Sequence, residues 1–168
     1  CFHRLPVQRG DVMFLPSGRV HALGAGLVIF EIQQNSDTTY RVFDWNRVGL
    51  DGKPRDLHLE QSLACIDFND FELSLVQAPW QTAHELRRKI VVRSDLFQAD
   101  QLVLPPQSTL AIEGGQMRIL ATVEGAIQLT SGTCSLRLTA GQFCLLPAAL
   151  PEASVTNGTP ATLLDITL

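Results

Sequence analysis

The stretch GDVMFLPSGRVHA, Gly10–Ala22, decides the fold, because its frame returns near the other end of the chain as GQFCLLPAALPEA, Gly141–Ala153. Gly10 aligns with Gly141, Pro16 with Pro147, His21 with Glu152 and Ala22 with Ala153. A second apolar run follows each copy, LVIFEI at 27–32 and ATLLDI at 161–166, aligning Glu31 with Asp165. Each copy therefore reads as a turn glycine, an apolar strand, a proline-containing bend, a polar residue and a second apolar strand. Glycine permits the tight turn. Proline has no N–H to donate and ends the pairing. The bend is expected to aim residue 21 or 152 inward. Only the first copy places an imidazole there, so the first reads as the chemical copy and the second as structural.

Outward from this repeat, short apolar runs alternate with Gly, Pro, Asn and Ser turns, which is the pattern of strands. Strands are predicted at 12–15, 27–33, 39–43, 89–92, 97–104, 118–124, 126–130, 134–138, 142–146 and 162–168. So many short strands at close spacing indicate an all-β sandwich or barrel. One segment differs. In PRDLHLEQSLACIDF, 54–68, Leu57, Leu59, Leu63 and Ile66 fall at roughly helical spacing, with Pro54 placed to start the turn. A short connecting helix is predicted there. The polar stretch that follows, up to QAPWQTAHELRR at 77–88, marks the expected boundary between a first unit, 1–79, and a second, 80–168.

Composition narrows the partners. The 168 residues are 45% hydrophobic and 18% charged, with a net charge of −4. That balance, without a basic block, argues against a nucleic-acid surface. No apolar run reaches the length of a membrane span, and no signal peptide is recognisable. The four cysteines, Cys1, Cys65, Cys134 and Cys144, show no CxxC spacing. They read as reduced, packed thiols in a cytoplasmic protein.

The frame Gly10, Pro16, Gly18, His21 resembles the second motif of the cupins, with Ala25 where asparagine is usual. The segment HALGAGLVIFEIQQNSDTTYRVFDWNR, 21–47, and then GKPRDLHLEQSL, 52–63, resemble type I mannose-6-phosphate isomerases in their short bacterial form. EIQQNSDTTYRVFDW is the most specific part, and ILATVEGAIQL with AGQFCLLPAAL extends the likeness through the C-terminal cupin barrel of that family. The whole chain thus resembles the C-terminal half of such an enzyme. The resemblance implies cupin-type jelly-roll barrels, one partial and one complete but degenerate. It further implies interconversion of mannose 6-phosphate and fructose 6-phosphate at a divalent metal, usually Zn2+. Residue by residue, His21 matches a metal ligand, Arg41 the arginine at the active-site mouth, and Glu31 an active-site acid. The other ligands of the family, a Gln-x-His pair and a glutamate, come from an earlier segment that these 168 residues do not contain. The site is therefore expected to be incomplete. A homodimer or an upstream segment would complete the first barrel.

The reaction itself sets requirements. A base must move a proton between C2 and C1, donors or a metal must stabilise the enediolate oxygen, and a cation must hold the phosphate. One histidine cannot make a zinc site, which needs at least three protein ligands. Arg41 offers a planar fork for phosphate or hydroxyl oxygens, with an ion pair to Asp37 or Asp44 as the rival reading. Glu31 shares a strand face with Ile29 and Gln33, so it is expected to be buried, with a partner or a raised pKa. Asp37 and Tyr40 are expected to shape the turn. Arg47, Lys53 and Arg55 form a basic cluster that suits either a phosphate or a solvated loop. His3, His58 and His84 lack a ligand-like frame and read as surface or packing residues. The rival function is a non-catalytic cupin module that binds a sugar, a sugar phosphate or a partner protein. An iron oxygenase, which needs two histidines and a carboxylate, ranks last.

Overall fold

A computed structural model describes residues 3–36 and 38–168. Cys1 and the turn role expected of Asp37 lie outside the described residues. Contacts divide the chain into two compact units, one of residues 1–9 with 13–74 and one of 10–12 with 75–168.

The second unit holds ten strands: β1 (Gln81–Ala83), β2 (Leu86–Arg93), β3 (Gln98–Leu104), β4 (Thr109–Glu113), β5 (Arg118–Glu124), β6 (Ala126–Ser131), β7 (Cys134–Thr139), β8 (Phe143–Leu146), β9 (Glu152–Thr156) and β10 (Ala161–Thr167). They form a six-stranded sheet, β1-β2-β3-β10-β5-β8, and a four-stranded sheet, β4-β9-β6-β7. Every pairing is antiparallel. β3 pairs with β10, β4 with β9, β5 with β8 and β6 with β7. That nesting is one long hairpin coiled over itself, the connectivity of a jelly roll. The two ladders remain separate sheets, so the complete but degenerate jelly-roll barrel expected from sequence takes the form of a two-sheet sandwich.

Side-chain alternation places the core. In β10, Ala161, Leu163 and Asp165 point between the sheets, and Leu163 sits opposite Leu102 of β3 and Thr122 of β5. Leu104, Leu120, Ile127, Val155 and Leu163 are buried to 2% exposure or less and join the two sheets in one cluster. The β1–β2 hairpin turns through His84 and Glu85, at φ +48° and +68°. Two central residues with positive φ suit the right-handed twist of a two-residue hairpin, though glycine or asparagine is usual there. His84 is exposed, as its reading as surface requires.

The first unit is built differently. The helix α1 (Leu59–Cys65) lies within the stretch where a helix is predicted, but it starts later. Pro54 instead forms an isolated bridge with Val48, and His58 precedes the helix without a side-chain cap. The strands predicted at 12–15, 27–33 and 39–43 are not strands among the described residues. Apolar alternation can mark a β-prone segment but cannot supply the neighbour whose amides complete a ladder. Ile29, Phe30 and Phe43 are 48%, 42% and 55% exposed. Glu31 is likewise exposed, which corrects the buried position expected for it. Among the described residues, no helix is long and apolar enough to cross a membrane.

Candidate functional site

His21 follows a tight bend that α1 and the turn after it hold in place. Arg19 N–H donates to the Pro16 carbonyl at 3.2 Å, closing the turn. Gly18 adopts φ +90°, and a Cβ there would lie 2.9 Å from the Cys65 carbonyl oxygen at the end of α1. Only glycine fits both constraints. The Gly18 carbonyl accepts from Asp67 N–H at 3.0 Å. The Arg19 guanidinium then grips Asp70 with two prongs, Nε to Oδ2 at 2.7 Å and an NH2 group to Oδ1 at 2.6 Å. Its third donor reaches the Phe14 carbonyl at 2.9 Å. This pairing holds the Asp70 carboxyl below the usual carboxylate range and raises Arg19. His21 Nδ1 lies 3.2 Å from the Arg19 carbonyl, and its imidazole is exposed. The inward aim expected of residue 21 is therefore corrected. The equivalent aim of Glu152 is also corrected: β9 alternates so that Ala153 and Val155 face the core and Glu152 faces out.

Arg41 belongs to a second constellation. The turn from Asp44 to Arg47 closes through Arg47 N–H to Asp44 C=O at 3.0 Å, with Trp45 and Asn46 at φ +50° and +54°. A tryptophan in that region is strained, since its side chain crowds the following carbonyl. The turn sets Arg41 and Arg47 each 3.8 Å from Asp44 Oδ1. The loop bridged at Val48 and Pro54 brings Arg55 back, and its guanidinium binds both oxygens of Asp44, Nε to Oδ2 at 2.7 Å. Three guanidiniums thus surround one buried carboxylate, which leaves local positive charge in excess. The hydrogen bonds from Arg55 are the main reason that the Asp44 pKa falls; burial opposes this, and the charges of Arg47 and Arg41 add to it. Arg41 N–H also donates to His58 Nδ1 at 3.2 Å, and His58 N–H returns a bond to the Arg41 carbonyl at 2.9 Å. The rings of Tyr40 and His58 lie 6.1 Å apart. His58 therefore ties the start of α1 to the segment that carries Arg41.

The structure brings Arg41, Arg47 and Arg55 together on Asp44 and leaves Lys53 exposed. Among the described residues, no hydrogen bond or ion pair is recorded between any two of His21, Glu31 and Arg41. No group of three or more His, Cys, Asp or Glu side chains among the described residues could hold a metal ion. His21 is a single imidazole donor, so these residues do not fit a zinc shell by themselves.

The second copy carries its own acid. Asp165 is 9% exposed and ion-paired to Arg118 at 2.6 Å, while Asp100, opposite it on β3, binds Arg88. Burial raises the Asp165 pKa, and the neighbouring Asp100 adds to that rise against the pull of Arg118. The recess beside Arg118 measures about 10 Å³, room for one water, whereas ligand pockets run to roughly 300–1,000 Å³. This pair is structural. Sequence reading took Asp44 only as a rival ion-pair partner of Arg41 and Asp165 only as the counterpart of Glu31, and it passed over Asp70. The symmetric spacing Arg41, Asp44, Arg47 was a legible signal for the first of them. Asp70 had none, because its partner lies 51 positions away.

Over 153 residues the chain is 32% identical to a mannose-6-phosphate isomerase of Bacillus subtilis, covering 89% of this chain and 47% of the relative. The crystal structure of a mannose 6-phosphate isomerase from Bacillus subtilis superimposes with a TM-score of 0.66 at 24% identity, over 80% of this chain and 42% of that one. The chain resembles the C-terminal half of a short type I mannose-6-phosphate isomerase. An RmlC-like cupin from Shewanella frigidimarina matches the fold at a TM-score of 0.50 and 16% identity, over 54% of this chain and 83% of that one. The nested strand pairing above is thus the cupin jelly roll. No family model matches the chain. The chain spans about half the length of the curated relatives it matches.

Proposed function

We propose that this chain is the C-terminal part of a mannose-6-phosphate isomerase-like site, incomplete in these 168 residues. The observation that carries the reading is the arginine cluster on Asp44, set in a chain that resembles such isomerases. Asp44 orients Arg41, Arg47 and Arg55 while neutralising only one of the three charges. That arrangement suits a phosphate, which accepts planar two-pronged bonds. Arg41 then anchors the sugar phosphate, and Glu31 is the carboxylate offered for proton transfer between C1 and C2. His21 supplies one ligand to a divalent metal, Zn2+ in this reading. At least two further donors must come from polypeptide beyond these residues, as an upstream segment or a second copy. The metal's contribution when bound is stabilisation of the enediolate oxygen. Cytoplasmic placement belongs to the same proposal, and the free thiols at Cys65, Cys134 and Cys144 are consistent with a reducing compartment.

One observation favours the rival reading of a non-catalytic module that binds a sugar phosphate: the single imidazole. Metal dependence of binding by the purified chain separates the two, since sugar-phosphate binding indifferent to divalent metal points to the module. Mannose 6-phosphate is expected to bind weakly and mannose not at all, with binding lost in Arg41→Ala. Conversion to fructose 6-phosphate is expected to be absent with zinc supplied. Rapid turnover by the chain alone would overturn the incomplete site, and equal binding of mannose and mannose 6-phosphate would overturn the phosphate role.

A further inference from the structure

The two histidines that touch backbone in the first unit are held in opposite tautomers. A carbonyl oxygen only accepts, so the 3.2 Å contact between His21 Nδ1 and the Arg19 carbonyl requires the proton to sit on Nδ1. The lone pair of the neutral ring is then on Nε2, at the exposed end. His58 is the reverse. Its Nδ1 accepts the Arg41 amide proton at 3.2 Å, so its own proton sits on Nε2. Of the two, only His21 presents a bare Nε2.

The carbonyl that selects the His21 tautomer belongs to Arg19, and the side chain of the same residue is the most heavily bonded group in the bend. It holds Asp70 by both oxygens and the Phe14 carbonyl by its remaining nitrogen. Both partners of the ion pair are largely shielded, at 15% and 17% side-chain exposure, so solvent competes weakly with the fork. Asp70 is in turn fixed, since its N–H donates to the Asp67 carbonyl at 3.2 Å and Asp67 N–H donates to Gly18 at 3.0 Å. The chain of contacts is closed: Gly18 to Asp67, Asp67 to Asp70, Asp70 to Arg19, Arg19 to His21. The Gly18–Arg19 peptide is pinned at both its C=O and its N–H, and the fork holds the Arg19 side chain, so rotation about ψ of Arg19 is the motion left that would turn its carbonyl from the imidazole.

We propose that Arg19 is a positioning residue, whose fork on Asp70 fixes its own carbonyl so that His21 is held with Nδ1 protonated and Nε2 bare. The proposal rests on the reading of His21 as a functional acceptor or ligand, and it assigns Arg19 and Asp70 to that site. A hydrogen bond from the non-ligating nitrogen to a carbonyl is the means by which proteins fix the tautomer of a functional histidine.

The test is long-range proton–nitrogen NMR of the purified chain near pH 8, where imidazoles are neutral, without metal or sugar phosphate. His3 and His84, both exposed, serve as reference rings. His21 is expected mainly in the Nδ1–H form and His58 in the Nε2–H form. Arg19→Ala is expected to shift His21 to the mixture shown by the reference rings and leave His58 unchanged. Arg19→Lys, which keeps the charge but not the fork, is expected to fall between. A wild-type His21 indistinguishable from the reference rings would overturn the proposal, and so would an Arg19→Ala spectrum with the wild-type His21 tautomer. If Arg19→Ala unfolds the unit, seen as loss of the His58 signature, Asp70→Asn decides by the same two criteria. Failure of metal binding or turnover leaves this measurement intact, so the isomerase reading and the positioning role fail separately.

Discussion

The two copies of the glycine-proline frame differ less in sequence than in what surrounds them. Leu163 of the second copy aligns with Ile29 of the first, yet Leu163 is fully buried and Ile29 is 48% exposed. Asp165 aligns with Glu31, yet Asp165 is buried against Arg118 while Glu31 is exposed. The bends differ too. Gly114 and Gly115 donate to the Pro151 and Ala148 carbonyls at 3.0 and 3.1 Å, so the second bend is pinned by the turn that follows β4. The first is pinned by α1 and the Arg19–Asp70 fork. β10 of the second copy lies between β3 and β5 of its own unit, whereas 27–33 of the first forms no strand among the described residues. The same local frame therefore gives a sheet in one place and a displayed, irregular loop in the other. Local sequence sets β-propensity, and the presence of a pairing edge decides whether a strand results.

Matched substitutions sharpen this difference. Leu163→Ala is expected to cost about 4 kcal/mol, because a fully buried leucine leaves a cavity between two sheets. Ile29→Ala at the aligned position is expected to change stability by less than about 0.5 kcal/mol. Equal losses in chemical denaturation would break the comparison. Arg118→Ala is expected to cost about 3 kcal/mol, since it strips the partner from a buried carboxylate. Glu31→Ala is expected to leave the midpoint unchanged. Gly18→Ala should cost about 1 kcal/mol from its positive φ alone, with the close Cys65 carbonyl adding to it. Its effect is expected in the first unit only.

Acid should also divide the copies. Asp44 and Asp70 have folded pKa values below their unfolded ones. Their contribution is present above the unfolded value and is lost as pH falls through the folded value. Asp165 has a raised folded pKa, so its ionisation removes stability as pH rises from the unfolded toward the folded value. Acid therefore weakens the first unit through these groups and relieves strain at Asp165 in the second. Trp45 lies in the first unit and Trp80 in the second. In single-tryptophan variants, the Trp45 fluorescence transition is expected at higher pH than that of Trp80. Coincident transitions would contradict the opposite linkage.

Much of the second unit was legible in sequence. The run 118–124 was predicted at its observed bounds, and 126–130 and 134–138 within a residue, because these short apolar runs are separated by turn residues such as Gly125 and Gly132. β1, β4 and β9 were missed. β1 is three residues long and TLAIE and EASVT five each, and the pairing of β4 with β9 joins segments far apart in the chain. In the first unit the helix was visible and the strands were not realised, since periodicity reports a face and not a neighbour. The candidate site followed the same division. His21 and Arg41 stood in recognisable frames. Asp44 was visible as the rival partner of Arg41 but not as the centre of three arginines. Asp70 joins Arg19 only through a turn that folding creates.

Hydrogen exchange read by mass spectrometry on the intact chain tests the contrast between the copies most directly. Amides of 161–167, paired on both sides by β3 and β5, are expected to exchange slowly, and those of 27–33, which lie outside the strands of the described residues, much faster. Comparable protection in both segments would contradict the contrast, because it would mean that the first copy finds a pairing edge without help from further polypeptide.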